Sequence, residues 1–235
     1  MTGSKLSIIV PAYCEAANIV ATLENIAGAL DGLSLTHEII VIDDGSTDGT
    51  AAVVTAAAAR FPSMRLLIND RNRGFGWTYR RGVEAATGDY IVMVHGDNAW
   101  GAATLRDLFV RVGDADVLIG YTRHMWRTRS WTRTIPSRAF TLVVNALTGN
   151  RLRYYNGLQI HPAGVLKRLS IQSAGYGFQA EVLVKSLRQS RSYIEVPMDL
   201  IERKHGDSKA FRVRNVIDVA RTLARLSPIR GTAGR

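Results

Sequence analysis

The feature that most limits how this chain can fold is an alternation running through its first 120 residues. Short, continuous apolar runs recur, each closed by a polar cluster and followed by a helical pattern. Leu6–Val10, Glu38–Ile42, Met64–Ile68, Tyr90–Val94 and Val117–Ile119 read as strands buried on both faces. Between them the spacing predicts helices near 17–30, 47–60, 77–86 and 102–112. The second opens after Ser46, Thr47 and Asp48, all good N-caps. Strand–helix alternation specifies an α/β fold, a mostly parallel sheet with helices on both faces.

After residue 120 the rhythm breaks. An arginine–tryptophan stretch at 121–135 leads to a helical pattern at 137–147 and a polar-aromatic segment at 153–161. Helices are expected near 163–170 and 178–190, then two short strands flanking Pro197 and a final helix over about 210–226. No repeat, low-complexity linker or composition boundary divides the chain, so all 235 residues are expected to form one domain. Within it, 1–120 would be the ligand-binding half and 121–235 a C-terminal elaboration. A chain that is 46% hydrophobic and 21% charged can bury a core, which excludes a disordered or collagen-like protein. The single cysteine, Cys14, excludes an internal disulfide framework and suits a reducing compartment. The apolar runs are far too short to span a bilayer, and the N-terminus lacks a signal-peptide layout. A cytoplasmic location is expected.

Net charge is +10 and unevenly spread. Residues 1–120 carry nine basic and fourteen acidic side chains, whereas 121–153 carry seven arginines and no acid. Residues 203–235 hold nine basic and two acidic side chains. Two basic blocks in the C-terminal half suit phosphates, nucleic acid, an anionic membrane surface or plain solvation. Trp126 and Trp131 among Arg123, Arg127, Arg129 and Arg133 fit a lipid headgroup region. No RNA-binding signature accompanies them, so no nucleic-acid partner is expected. The last helix pattern gathers Val213, Val216, Ile217, Ala220, Leu223 and Ala224 on one face, compatible with packing on the domain or with an interfacial position.

In open parallel sheets, ligands bind beyond the carboxyl ends of the strands. Four such ends carry polar clusters here: 11–15, 43–48, 69–76 and 95–98. Asp43 and Asp44 offer acceptors to a base or ribose. Loss of the Asp44 carboxylate is therefore expected to weaken ligand binding without unfolding the chain. Arg71 and Arg73, with the backbone of Gly74 and Gly76, can approach a pyrophosphate. Asp97 is a candidate ligand for a hard divalent ion. The first strand ends in Pro11 rather than in Gly-x-Gly-x-x-Gly, which disfavours a dinucleotide dehydrogenase, and no Walker A loop occurs.

The segments SIIVPAYCEAANI, EIIVIDDGSTDGT, NRGFGWTYRRGVEAATGDYIVMVHGD and EVPMDLIERKHGDSKAF resemble family 2 glycosyltransferases of GT-A fold. Within these they are most similar to polyprenol-phosphate (dolichol-phosphate) mannose and other sugar synthases, over nearly the whole chain. The resemblance implies a Rossmann-like, mostly parallel sheet with a C-terminal acceptor-side elaboration. It implies inverting transfer from a GDP- or UDP-sugar to a polyprenyl phosphate at the cytoplasmic membrane face. The enzyme would be peripheral, depend on Mn²⁺ or Mg²⁺, and leave room for a separate membrane-anchoring subunit. Pro11, Tyr13, Glu15 and Asp44 would hold the nucleoside, and Arg73 would lie along the donor phosphates. Arg203, Ser208 and Lys209 would close over diphosphate and acceptor, and Gln179 and Glu181 would approach the sugar.

Three departures from the family pattern stand out. Cys14 replaces an asparagine. His95-Gly96-Asp97 replaces an Asp-x-Asp pair, making His95 a metal ligand or a neutral donor beside it, and Ala99 replaces a later glutamine. Tyr154-Tyr-Asn-Gly-Leu158 stands where an Asp-x-Thr-Gly-Phe-Arg acceptor pattern is usual. A lipid phosphate is already anionic and needs no general base, whereas a hydroxyl acceptor would, with Glu181 as nominee. Two alternatives remain at this point: transfer to a soluble or glycan hydroxyl, and nucleotide-sugar binding without turnover.

Overall fold

A computed structural model describes residues 3–123, 131–173, 175, 177–199, 222–224 and 226. Seven strands form one sheet: β1 (Lys5–Ala12), β2 (Thr36–Asp43), β3 (Met64–Ile68), β4 (Tyr90–Met93), β5 (Val117–Thr122), β6 (Gln159–Pro162) and β7 (Tyr193–Met198). Their order is β3-β2-β1-β4-β6-β5-β7. β6 is antiparallel to both neighbours, and the remaining pairs are parallel. β5 therefore points the same way as β1 and β4, and its carboxyl end, Thr122, reaches the same rim.

Alternation along the pleat divides the core. Leu6, Ile8 and Val10 of β1 join a cluster under α1 (Ile19–Leu30) and α4 (Ala102–Phe109), while Ile9 joins the opposite cluster with Tyr79 and Val83 of α3 (Phe75–Ala85). Between α1 and α3 in the chain, α2 (Thr50–Ala57) adds Val54 and Ala57 to the first cluster. Beyond β5, α5 (Trp131–Thr148), a short α6 (Ala163–Leu166) and α7 (Phe178–Gln189) cover the rest. A third cluster joins Val117 and Ile119 to Val144, Tyr155, Leu183 and Leu226.

Several expectations shift. α2 starts at Thr50 because Gly49 occupies the left-handed region at φ 86°, and Asp48 caps from outside by accepting the Thr50 N–H at 3.0 Å. The expected 163–170 helix is only Ala163–Leu166. The strands expected around Pro197 are one strand running through it, which an edge position tolerates. The 153–161 segment contains β6, where Gln159 and His161 are buried despite their polarity. Gln159 Nε2 donates to the Tyr155 carbonyl at 2.5 Å, and His161 pairs with Ser186 Oγ at 2.9 Å and Gln159 Oε1 at 3.2 Å. Of the final helix, 222–224 and 226 are described: Thr222 and Leu226 are buried, whereas Ala224 is exposed, so the buried face is rotated from the expected one. Thr222 Oγ1 bonds Ser173 Oγ at 2.7 Å. Among the described residues, no helix is long and apolar enough to cross a membrane.

Candidate functional site

The sheet reverses its winding between β1 and β4, and the polar clusters converge on that switch point. Backbone bonds lock them together. The Asp44 N–H donates to Ala12 O at 2.8 Å, Asn69 N–H to Asp43 O at 2.9 Å, and Gly96 N–H to Pro11 O at 3.2 Å. The 43–48 loop and the first residue of α2 hold the 13–16 loop through side chains: Cys14 N–H donates to Ser46 Oγ at 2.9 Å, Glu15 N–H to Thr50 Oγ1 at 2.9 Å, and Ala16 N–H to Asp48 Oδ2 at 3.0 Å. These bonds to Asp48, led by the Thr50 hydroxyl, hold its pKa below the ordinary carboxylate value. Gly45, at φ 70°, lies so close to Arg71 and Asn72 that a Cβ would sit 2.5 Å from the Arg71 carbonyl carbon. Only glycine lets the two loops meet there.

Asp44 is the organising residue of this rim. It is buried. Its Oδ1 accepts from Asn69 Nδ2 at 2.7 Å and Arg73 N–H at 2.9 Å, and its Oδ2 from Gly74 N–H at 2.9 Å. The carboxylate expected to face a nucleoside thus shapes the 69–74 loop. Asp43, also buried, accepts from the Ser46 N–H at 3.2 Å and the Ser46 hydroxyl. Tyr13, Glu15, Arg71 and Arg73 lie on the same loops. Tyr13 is 47% exposed. Glu15 is half-buried and accepts from Asn18 Nδ2 at 2.8 Å. The Arg73 guanidinium forms a fork with Asp70, both contacts at 3.0 Å, and lies 5.4 Å over the Trp77 ring. Arg71 is exposed, and Gly76 is buried in α3. Cys14 adopts φ 57°, a left-handed conformation that asparagine tolerates better than most residues.

His95 leaves β4 with its ring stacked on Phe75, centroids 5.0 Å apart and planes 8° apart. Phe178 meets Phe75 edge-on at 5.7 Å and Tyr79 at 4.9 Å. This aromatic stack sets the start of α7 against α3, and Gln179 there lines a small cavity with Tyr79, Met93, Gln159 and His161. Glu181 turns elsewhere. It is buried, with Oε1 accepting from Gln172 N–H at 3.1 Å and from Lys185 Nζ, and Oε2 from Ser173 N–H at 2.8 Å. Burial raises its pKa, but the Lys185 and Ser173 bonds outweigh it, so the net shift is downward. Sequence assigns no role to Phe75, Asn69 or Tyr79, although Asn69 and Phe75 lie within the 69–76 cluster. Thr22 and Asn25, which bond Asn98 N–H at 3.0 Å and Asn98 Oδ1 at 2.8 Å, gave no sequence signal. Arg203, Ser208 and Lys209 lie outside the described residues, as do Trp126, Arg127 and Arg129.

Among the described residues no group of three or more His, Cys, Asp or Glu converges. His95 and Asp97, both half-buried, lie just beyond the end of β4. The Asp97 carboxylate fits a hard divalent ion that takes its other ligands from substrate phosphates and water, whereas the His95 imidazole is a softer donor.

Residues 7–171 match the model of Glycosyl transferase family 2. The chain is similar to the undecaprenyl-phosphate mannosyltransferase of Micrococcus luteus, at 29% identity over 86% of this chain and 85% of the relative. It is 30% identical, over 89% of its length, to the undecaprenyl-phosphate 4-deoxy-4-formamido-L-arabinose transferase of Sodalis glossinidius, of which it spans 64%. It is 29% identical, over 84% of its length, to the dolichyl-phosphate beta-glucosyltransferase of Dictyostelium discoideum, of which it spans 66%. Among solved structures, glucosyl-3-phosphoglycerate synthase of Mycobacterium tuberculosis, in complex with Mn²⁺, UDP-glucose and phosphoglyceric acid, superposes with a TM-score of 0.75 at 19% identity, covering 98% of this chain and 82% of that one.

Proposed function

The chain belongs to glycosyl transferase family 2, and from that premise we propose that it inverts a sugar out of a nucleotide-sugar donor onto a polyprenyl phosphate. The acceptor half rests on one observation: all three relatives, aligned over 84–89% of this chain, are named for transfer to undecaprenyl or dolichyl phosphate.

The donor lies across the β1–β4 crevice, its nucleoside by Pro11, Tyr13 and Glu15. Asp43 and Asp44 act from beneath, by fixing the loops that present Arg73 and Gly74 to the diphosphate. Asp97 and His95 would hold a divalent ion, which would supply Lewis-acid stabilisation of the charge developing on the leaving group. Gln179, on α7, is assigned to the sugar, and Arg203, Ser208 and Lys209, which lie outside the described residues, are assigned to diphosphate and acceptor from the sequence resemblance alone. A phosphate oxygen of the acceptor attacks the anomeric carbon opposite the departing nucleoside diphosphate. That nucleophile is already anionic, so no proton need be removed. The depressed pKa and occupied oxygens of Glu181 suit such a reaction, since a general base works best near the operating pH.

The test incubates the protein with UDP- and GDP-sugars, Mg²⁺ or Mn²⁺, and a short-chain polyprenyl phosphate in detergent. Nucleoside diphosphate release that requires the lipid phosphate is the expected result. Release that instead requires a soluble hydroxyl acceptor replaces the lipid reading, and donor binding without release under any condition replaces both.

A further inference from the structure

Trp77 is a large side chain that the apolar core does not take up. On α3, Tyr79, Gly82 and Val83 are buried, and Phe75 packs against their cluster. Trp77 is half-buried and belongs to none of the three apolar clusters among the described residues. Charge covers its ring instead. The Arg73 guanidinium lies 5.4 Å from the indole centroid, and the Arg81 guanidinium 5.9 Å from it. Both are within reach of a cation–π contact. Arg81 follows Trp77 by four residues and Arg73 precedes it by four, so the three form a row.

The row is anchored at both ends. Arg81 Nη1 donates to the Ile68 carbonyl at 2.8 Å and to Asn69 Oδ1. Asn69 Nδ2 donates to Asp44 Oδ1 at 2.7 Å, and the same oxygen accepts the Arg73 N–H at 2.9 Å. The contacts therefore close on themselves, from Asp44 through Asn69, Arg81, Trp77 and Arg73 back to Asp44. Backbone and head group of Arg73 both trace to that one carboxylate. At the outer end, Asp70 accepts from Arg73 Nε and Nη2, each at 3.0 Å. The Arg73 bond leads the causes that hold the Asp70 carboxyl below its ordinary range. This fork uses two of the five N–H donors of a guanidinium, which leaves three for phosphate oxygens. A surface arginine loses rotamer entropy when a ligand immobilises it. One already held by a carboxylate and an indole face has less to lose.

We propose that Trp77 is a positioning residue for the donor diphosphate, acting through Arg73. The inference rests on the reading of Arg73 as a diphosphate ligand. Calorimetry with UDP and GDP in the presence of Mn²⁺ tests it on the wild type, Trp77→Leu, Trp77→Phe, Arg73→Gln and the Trp77→Leu, Arg73→Gln pair. The nucleotide that binds the wild-type chain should bind Trp77→Leu about three- to fivefold more weakly, the range of a partly exposed cation–π contact. Trp77→Phe keeps an aromatic face and should retain most of the affinity. In the Arg73→Gln background, Trp77→Leu should cause no further loss, because the group it acts through is gone. Thermal unfolding of the same proteins reads the fold separately from binding. Wild-type affinity in Trp77→Leu overturns the proposal. So does an equal loss in both backgrounds, which would make Trp77 a structural residue. Unchanged affinity in Arg73→Gln removes Arg73 from the diphosphate and the inference with it, while lipid-dependent release of nucleoside diphosphate still decides the transferase reading. A wild-type chain that binds neither nucleotide overturns the donor reading and the inference together.

Discussion

Asp44 accepts three hydrogen bonds from a single loop, and this changes what its loss should do. Asp44→Ala would leave Asn69 Nδ2 without this acceptor inside the protein, at a cost of about 1–3 kcal/mol. It would also free Arg73 and Gly74, so urea denaturation should report lower stability and calorimetry weaker donor binding in the same variant. Wild-type stability in that variant would refute the organising role. The sequence expectation, ligand loss without cost to the fold, took a strand-end carboxylate to face outward. Nothing in a string of residues distinguishes a carboxylate that meets ligand from one that shapes the loop meeting it. His161 carries a second prediction. Burial pushes its imidazole down to about 3, from an ordinary 6.5. The unfolded chain takes up a proton below about pH 6.5 that the folded chain refuses, so stability is whole above that value. It should then fall as pH drops toward 3, at about 1.4 kcal/mol per pH unit from this group. Denaturation curves between about pH 7 and about pH 5 should be flatter in His161→Gln than in the wild type.

At the scale of elements, β1, β2, β4 and β5 were legible because each is an apolar run largely buried on both faces. β3 was legible because its run is apolar, although at the sheet edge it is half-exposed rather than buried as expected. β6 was not, because its buried side chains alternate Gln159, Ile160, His161 and satisfy one another through contacts invisible to periodicity. α5 was legible as the helical pattern at 137–147, but the burial of its Thr134, Thr141 and Thr148 was not. In the candidate site, the placement of four clusters at one rim followed from strand ends alone, whereas the Phe75–His95 stack and the inward turn of Glu181 depend on packing between α3, β4 and α7. Glu181 ties α7 to the 172–173 segment. Glu181→Gln keeps the shape but loses the ion pair and one acceptor, and should cost about 1–3 kcal/mol of stability. Turnover with a lipid phosphate should stay within about tenfold of wild type, whereas loss of a true general base would cost roughly 10²–10⁴. A kcat measurement in the folded variant decides between the two.

At the scale of the molecule, strands from both halves of the chain share one sheet, so the 1–120 and 121–235 regions should unfold together. Calorimetry is expected to show one transition, and two would divide the chain. A donor at about a hundred times its Kd adds about 2.7 kcal/mol to the folded state. For a chain of this size that raises Tm by roughly 5–10 °C, and the nucleotide and metal that produce the shift identify the donor and ion. Strand order also has a history within each molecule's own synthesis. β6 sits between β4 and β5 although it follows both in sequence. Nearly seventy residues separate Met93 from Pro162, so at about 5–20 residues per second the β4 margin waits roughly 3–14 s for its neighbour. During that interval the nascent β3-β2-β1-β4 sheet presents an open edge able to pair with other chains. Demand for chaperones should therefore peak while the ribosome is still translating the middle of the message, and slowing elongation there would lengthen the period of risk.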